Sequence, residues 1–148
     1  MKKRLLLTAS LLSVLFIFMQ SCMSGSNSAE ESGRMLALLL GFFERMQLPF
    51  GLTEYILRKL AHFTEFGVFG FFTAWTVSEY SEQFRKNVFT LLFILLAIPT
   101  LDETLQYFSP ERSPLVTDVL IDFSGGLCGA ALIISILHFV ISRKKQAK

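Results

Sequence analysis

The sequence predicts an all-α integral membrane protein with four transmembrane helices and one amphipathic helix at the membrane surface, in a single domain over residues 1–148. Two observations lead to this prediction. Of the 148 residues, 52% are hydrophobic and only 18% are charged, which is too apolar for an ordinary soluble domain. The apolar residues also form runs of about 20 residues, the length that an α-helix needs to cross a bilayer. No segment shows the alternation of a strand.

Four apolar runs are predicted to span the membrane, at residues 5–23, 55–78, 88–108 and 116–141. The first is slightly short but adequate for a crossing. The second has a polar first half and a wholly apolar second half. The third contains Pro99, which frees a backbone carbonyl and in membrane helices often marks a kink beside a polar site. The fourth begins with acidic residues and continues into a stretch rich in glycine and alanine.

The segment between the first two spans is predicted to lie at the outer surface of the membrane. Residues 24–34 are small and polar, which is typical of a surface loop. Residues 35–48 are apolar but too short to span, and Glu44, Arg45 and Gln47 gather at their end. We expect an amphipathic helix lying on the membrane here, with a buried connecting helix as the alternative.

The basic residues predict the orientation of the chain, because lysine and arginine accumulate on the cytoplasmic side of membrane proteins. With both termini in the cytoplasm, nine basic residues lie inside and five outside. The inside set is Lys2, Lys3, Arg4, Arg85, Lys86, Arg143, Lys144, Lys145 and Lys148, and the outside set is Arg34, Arg45, Arg58, Lys59 and Arg112. The protein is therefore predicted to be multi-pass, with its polar loops on both faces of the bilayer.

This topology brings the polar residues of three spans to a similar depth in the outer half of the bilayer. Ionisable residues within a membrane are costly, and they indicate a functional site. The candidate catalytic residues are His62, Glu65, Asp102 and Glu103. The candidate binding residues are Arg58, Lys59, Gln106, Arg112, Asp118 and Asp122.

The charges of these residues do not balance. Three positive side chains stand against five carboxylates, and a partly desolvated cluster holds two surplus negative charges only at a high cost. A protonated carboxyl, a bound cation or a cationic ligand would each restore the balance. His62 and Glu65, three residues apart on one helix face, could hold a divalent metal together with the nearby carboxylates. Two alternatives stay open. His62 could act in acid/base catalysis without a metal, or the cluster could be a set of ion pairs that only holds the helix ends together.

Small residues in the fourth span predict close helix packing. Gly125 and Gly129 are four residues apart, and Gly126 lies beside them. Such ladders let membrane helices approach each other closely. No basic face interleaved with aromatic residues is present, so nucleic acid is not an expected partner. The expected surroundings are a lipid bilayer.

Four motifs occur in an order that resembles the VanZ-like family of small bacterial membrane proteins. They are Arg58-Lys59-x-x-His62-Phe63-x-Glu65-Phe66, Asp102-Glu103-x-x-Gln106, Pro110-x-Arg112 and Asp118-x-x-x-Asp122-x-x-Gly125. Together they cover nearly the whole chain and are far more specific than any one alone. Asp122 departs mildly from the family pattern, because many members carry asparagine there.

The resemblance implies a multi-span helical protein of the bacterial cytoplasmic membrane. The founding member of the family is associated with low-level resistance to teicoplanin, a glycopeptide antibiotic with a fatty-acyl tail. The resemblance implies this association and no particular reaction.

Three functions follow from the sequence as alternatives. The first is an envelope protein that binds or modifies a lipid-linked or lipoglycopeptide ligand in the outer leaflet, contributing to glycopeptide resistance. The second is a membrane-embedded metal-assisted or acid/base hydrolase. The third is a structural or accessory membrane subunit. A transporter is disfavoured, because the inner halves of the spans carry almost no polar residues to line a path.

Overall fold

The computed structural model describes residues 1–46, 53–80 and 84–146, which form five α-helices and one 3-10 turn without any β-strand. The helices are α1 (Lys2–Ser21), α2 (Gly25–Arg45), α3 (Glu54–Tyr80), α4 (Val88–Tyr107) and α5 (Val116–Gln146). The 3-10 turn, Phe84–Asn87, leads directly into α4. The prediction of an all-α fold is confirmed for this part of the chain.

Within the described ranges, three helices are long and apolar enough to cross a membrane, namely α1, α4 and α5. The prediction of four such helices is therefore wrong by one. Residues 55–78 do form α3, whose 27 residues exceed the length needed. Its first half is too polar, because Arg58, Lys59, His62 and Glu65 lie there.

Helix α3 tolerates these polar residues because other helices surround it. It packs against α1, α4 and α5 along the bundle and against α2 at one end. Phe66 and Phe69 of α3 join Ile17 of α1, Leu95 of α4 and Ile133 of α5 in the buried core. The four polar residues are each partly buried, whereas apolar residues such as Leu60 and Val68 form the exposed side of α3.

Helix α2 begins ten residues earlier than the sequence predicts, so the predicted surface loop over residues 24–34 is wrong. Ser24 caps the helix, and its hydroxyl accepts a hydrogen bond from the backbone N–H of Asn27 at 3.3 Å. An ion pair between Glu30 and Arg34, one turn apart, supports the same stretch. Residues 47 and 48 of the predicted amphipathic helix lie outside the described residues.

The surface position of α2 agrees with its amphipathic pattern. The helix has no buried residue, and its neighbour in the bundle is α3. The lack of a fully buried residue disagrees with a buried connecting helix. That α2 lies on a membrane surface stays a prediction.

Helices α3 and α5 approach each other so closely that their backbones touch. A Cβ atom added at Gly129 would overlap the carbonyl oxygen of Gly67, and one added at Gly125 would overlap the carbonyl oxygen of Phe63. Gly126 lies on a neighbouring face, where an added Cβ would meet the side chain of Leu95 on α4 at 3.4 Å. Glycine is required where such close backbone contacts form.

The antiparallel bundle has two chemically different ends. At one end Lys2 of α1 pairs with Glu79 of α3, and Lys3 lies over the ring of Tyr80 at 5.4 Å. At the other end, which we call the site end, the last turns of α1 and α4 meet the first halves of α3 and α5. The fold therefore gathers the polar motif residues in one place.

Candidate functional site

Asp102 and Asp122 are the two fully buried acids described at the site end, and Asp102 is the one held by hydrogen bonds. It is fully buried in α4, and both of its carboxylate oxygens accept hydrogen bonds. Oδ1 accepts from the hydroxyl of Ser21 in the last turn of α1, and Oδ2 accepts from Nε2 of Gln106 at 2.9 Å. These two donors hold the carboxylate in one orientation and tie α1 to α4.

Arg112, in the loop between α4 and α5, ties the end of α1 to this cluster. Its guanidinium donates to the carbonyl oxygens of Met23 at 3.3 Å and Gln20 at 3.2 Å. A third contact, 3.4 Å long, reaches Oε1 of Gln106, whose amide holds Asp102. Burial lowers the pKa of Arg112, and the positive charge of Arg58 lowers it further. The guanidinium nevertheless stays protonated at neutral pH.

Two acid–base pairs connect α3 with α5. Lys59 forms an ion pair with Asp118, and both side chains are mostly buried. One turn deeper, Nδ1 of His62 lies 3.7 Å from Oδ2 of Asp122, which is too long for a hydrogen bond. Neither oxygen of the fully buried Asp122, nor Nδ1 of His62, has a hydrogen-bond partner among the described residues.

His62, Asp102 and Asp122 meet where α3, α4 and α5 converge, and we call these three residues the buried trio. Each offers one nitrogen or oxygen atom, and these atoms all lie within 4.8 Å of one another. One imidazole beside two carboxylates can exchange protons or hold a divalent cation. The site end therefore concentrates its surplus negative charge at this point.

The other two predicted catalytic residues lie apart from the buried trio. Glu103 accepts a hydrogen bond from the backbone N–H of Leu115 at 3.0 Å, just before α5, and its other oxygen has no partner in the described chain. Glu65 is half-buried on α3 and lines a cavity at the surface. The four predicted catalytic residues thus separate into three environments, and Asp122, predicted as a binding residue, joins His62 and Asp102.

Ser21 is a member of the site that sequence reasoning did not single out. It is buried, it donates to Asp102, and its own carbonyl accepts a hydrogen bond from Ser109 at 2.7 Å. The only signal in the sequence is a serine near the end of the first apolar run. That signal is weak, because three other hydroxyl residues occur in the same run (Thr8, Ser10 and Ser13).

Two cavities open at the site end and adjoin each other. The first, which we call the polar pocket, has a volume of about 210 Å³. It lies between α1, α2 and α3, and its polar lining includes Gln20, Glu31, Arg58, His62, Glu65 and Arg112. The second, which we call the apolar groove, has a volume of about 810 Å³. It runs between α1 and α3, and its lining includes Leu12, Phe16, Leu60, Val68 and Phe72.

The polar pocket and the apolar groove share part of their walls. Leu57, Ala61 and Glu65 line both cavities. The groove therefore leads from the apolar flank of the bundle to a pocket that contains charged side chains.

Comparison with known protein families matches residues 5–138 to the VanZ/LLP1 family. The chain belongs to the VanZ family. The match covers nearly the whole chain and confirms the resemblance seen in the motifs. No curated protein and no solved structure matches the chain. Together with the three membrane-compatible helices, family membership establishes a VanZ-like membrane protein.

The VanZ-like motifs of this chain fall on separate elements, and all of them face the site end. The first motif lies on α3, the second closes α4, the third occupies the α4–α5 loop, and the fourth opens α5. Contacts join them in pairs, such as Lys59 with Asp118 and Arg112 with Gln106. The motifs of this VanZ-family chain therefore describe one three-dimensional cluster.

Proposed function

We propose that this VanZ-family protein binds an amphipathic ligand of the outer membrane leaflet, a lipid-linked or lipoglycopeptide molecule. The observation that carries the proposal is the junction of the polar pocket and the apolar groove at Leu57, Ala61 and Glu65. A ligand at this junction would place its acyl chain in the groove and its headgroup in the pocket. The apolar groove alone, at about 810 Å³, is in the range of small-molecule sites, which measure about 300–1,000 Å³.

The charges of the polar pocket suit a headgroup with an anionic group. Arg58 lines the pocket, and no hydrogen bond or ion pair is found for it among the residues described. Lys59, its neighbour in sequence, is by contrast neutralised by Asp118. A guanidinium binds carboxylate and phosphate groups with two parallel hydrogen bonds. Arg58 is therefore the residue that we expect to contact the anionic group.

The pocket also offers acceptors to the same headgroup. Glu31 of α2 and Glu65 of α3 line it together with the side chain of Gln20. Sugars and peptides carry the hydroxyl and amine donors that such groups bind. A headgroup made of sugar or peptide with one anionic group would satisfy both signs of charge in the pocket.

A membrane lipid and a lipoglycopeptide would gain different amounts of binding free energy from burying an acyl chain in the apolar groove. A lipid that already lies in the leaflet gains little by moving its chain against apolar side chains, because lipid tails are equally apolar. A lipoglycopeptide that arrives from water gains about 0.8 kcal/mol for each CH₂ group it buries. Capture of such an antibiotic away from its target is how the protein would contribute to glycopeptide resistance, the association implied by its family.

Binding is tested by filling the apolar groove from within. Ala61→Phe should weaken binding of teicoplanin to the protein in nanodiscs at least tenfold, because the new ring occupies the junction of groove and pocket. Arg58→Gln should weaken it by a similar factor, because the anionic group loses its partner. Titration of the ligand's intrinsic fluorescence measures both constants.

Two substitutions of the same kind serve as controls. Ala131→Phe places the ring on an exposed face of α5, and Arg143→Gln removes a charge from the far end of that helix. Both should bind like the unaltered protein. A phosphate- and sugar-bearing lipid and a glycopeptide without an acyl chain distinguish the two ligand sources. Equal binding by Ala61→Phe and the unaltered protein would refute the role of the groove.

The proposed orientation places the site end at the outer surface of the bacterial cytoplasmic membrane, with both termini in the cytoplasm and α3 as a fourth crossing. The basic residues near both termini favour this direction. The packing of α3 against α1 and α5, and the pair of Lys2 with Glu79 at the far end of the bundle, support α3 as a crossing in this proposal.

Cysteine labelling tests the orientation. In a background with Cys22→Ser and Cys128→Ser, Gly33→Cys on α2 should react with a membrane-impermeant maleimide in intact spheroplasts. Lys144→Cys should react only after the cells are opened. No atom lies within 4 Å of the position that a Cβ atom at Gly33 would occupy, so the substitution should not disturb α2. The reverse pattern would place the site on the cytoplasmic side.

A hydrolase acting on the same ligand is the second candidate. The buried trio supports it, because His62 lines the polar pocket and lies beside two buried carboxylates. Mass spectrometry that detects a released headgroup or acyl chain distinguishes turnover from binding. His62→Gln is the control. A protein that neither binds nor cleaves these ligands would favour the structural or accessory role.

A further inference from the structure

We propose that the buried trio binds one divalent transition-metal ion of the class of Zn²⁺ or Mn²⁺. The proposal concerns His62, Asp102 and Asp122 alone, and it does not depend on the ligand proposed above. The three residues come from three different helices, and each directs one potential ligand atom into a space where all three atoms lie within 4.8 Å of one another.

Asp122 is the residue of the buried trio whose carboxylate most lacks a neutralising or hydrogen-bonding partner. It is fully buried, and neither of its carboxylate oxygens has a hydrogen-bond partner in the described part of the chain. A buried carboxylate without a partner is strongly unfavourable, and native proteins neutralise such a group or bind a cation to it. The neighbouring imidazole, whose Nδ1 lies 3.7 Å away, is an ion-pair partner only when it is protonated, and it makes no hydrogen bond to Asp122.

The separation of His62 and Asp122 suits a shared metal better than a direct hydrogen bond. Their closest atoms, Nδ1 and Oδ2, are 3.7 Å apart. Two ligands at about 2.1 Å from a tetrahedral metal ion lie about 3.4 Å from each other. A direct hydrogen bond would require about 2.8 Å. For this pair of atoms, sharing a metal needs a shift of about 0.3 Å, whereas a direct hydrogen bond needs about 0.9 Å.

Asp102 is held in place as metal-binding carboxylates generally are. The hydroxyl of Ser21 and the amide of Gln106 each donate to one of its oxygens, and Arg112 in turn contacts Gln106. Such outer contacts orient ligands and tune the metal. A carboxylate has about four lone-pair positions, so these two bonds leave capacity for a metal ion.

The net charge of the buried trio is equal and opposite to that of a dication. A neutral imidazole and two carboxylates carry two negative charges. The nearest lysine, Lys59, is already paired with Asp118, and Arg112 reaches Asp102 only through Gln106. An imidazole among the ligands favours Zn²⁺ over Mg²⁺ and Ca²⁺, which prefer all-oxygen sites, and the two carboxylates also suit Mn²⁺. His62 also lines the polar pocket, which provides a path of entry.

The experiment is a metal titration of the full-length protein in detergent without any added lipid or antibiotic ligand. After removal of bound metal with a chelator, the protein is titrated with Zn²⁺ and, separately, Mn²⁺ in competition with a chromophoric chelator. Elemental mass spectrometry then measures the content after gel filtration. We expect one ion per chain, and at least a 100-fold weaker affinity in both Asp122→Asn and His62→Gln.

Glu79→Gln is the matched control, because it makes the same acid-to-amide change at the opposite end of the bundle, at a residue that pairs with Lys2. It should bind one ion with unchanged affinity. A wild-type protein that holds no more Zn²⁺ or Mn²⁺ than Asp122→Asn would overturn the proposal. So would binding that is insensitive to His62→Gln, or a preference for Mg²⁺.

A second measurement avoids any dependence on whether the variants fold. Co²⁺ added to the unaltered, metal-free protein should produce d–d absorption bands with the intensity of a low-symmetry site containing nitrogen, and one equivalent of Zn²⁺ should abolish them. Co²⁺ spectra identical to those of the free aquo ion would overturn the proposal. Because no lipid or antibiotic is present, failure here and failure of ligand binding are separate results.

Discussion

Gly129→Leu should remove nearly all folded protein from the membrane. A Cβ atom at this position would overlap the carbonyl oxygen of Gly67, and it would also press on the backbone nitrogen of Phe71. These are backbone atoms of α3, which cannot rotate away as the end of a side chain can. The two helices must separate, and their core contacts are lost with the separation. Overpacking commonly costs 1–3 kcal/mol, and we expect more than about 3 kcal/mol here.

The level of monodisperse protein, measured by fluorescence-detected gel filtration of a tagged chain, tests this expectation. Gly129→Ala should already lower the level, because the overlap begins with the Cβ atom itself. Gly41→Leu is the control, since nothing lies within 4 Å of a side chain at that position on α2. Equal levels of Gly129→Leu and Gly41→Leu would show that α3 and α5 do not touch as described.

Arg112→Ala should destabilise the protein by about 3 kcal/mol, through the loss of contacts to the end of α1 and to Gln106. Two of these contacts reach main-chain carbonyls at the end of α1, where the regular hydrogen bonds of the helix stop. The substitution also removes a positive charge from a cluster with surplus negative charge. We therefore expect a lower melting temperature and a lower membrane level, even without any ligand.

Arg112→Lys separates the geometry of the side chain from its charge. A lysine restores the charge but cannot reach three acceptors with one compact ammonium group, so it should recover only part of the lost stability. Arg34→Ala is the control, because Arg34 is exposed and its ion pair with Glu30 is worth little. Arg112→Ala with an unchanged melting temperature would leave Arg112 free to act only on a ligand.

This structural role of Arg112 was not visible in the sequence. The motif Pro110-x-Arg112 indicated a binding residue at the outer end of the spans, and the structure shows the guanidinium engaged mainly with the main chain of residues 20 and 23. Its partners are 92 and 89 residues away along the chain. No local pattern predicts a contact of that kind, because it depends on how α1 and the α4–α5 loop meet.

The amino-acid composition of two segments led to a wrong prediction, for a different reason in each. Residues 24–34 read as a loop because serine and glycine dominate them. The helix nevertheless begins there, with Ser24 as its cap and with the backbone N–H groups of Gly25 and Ser26 donating to Pro110 and Glu111 of the α4–α5 loop. The segment 55–78 read as a fourth apolar span because its second half is apolar. Its charged first half is tolerated because α1, α2 and α5 cover it.

By itself, the sequence determined that the chain is helical, that much of it is apolar enough for a bilayer, and that its polar motif residues fall at one end of the predicted spans. These properties follow from composition, from the length of apolar runs and from the alternation of direction between successive spans, all of which are local. The motifs also determined the family. None of these signals depends on which side chain contacts which.

Only the tertiary structure decided how the polar residues divide their roles. It paired Lys59 with Asp118, enclosed Asp102 between Ser21 and Gln106, and left Asp122 and His62 facing each other without a hydrogen bond. It also joined the polar pocket to the apolar groove at Ala61. The physical reason is that the rotation of each helix about its axis, set by the glycine contact of α3 with α5, selects the faces that meet.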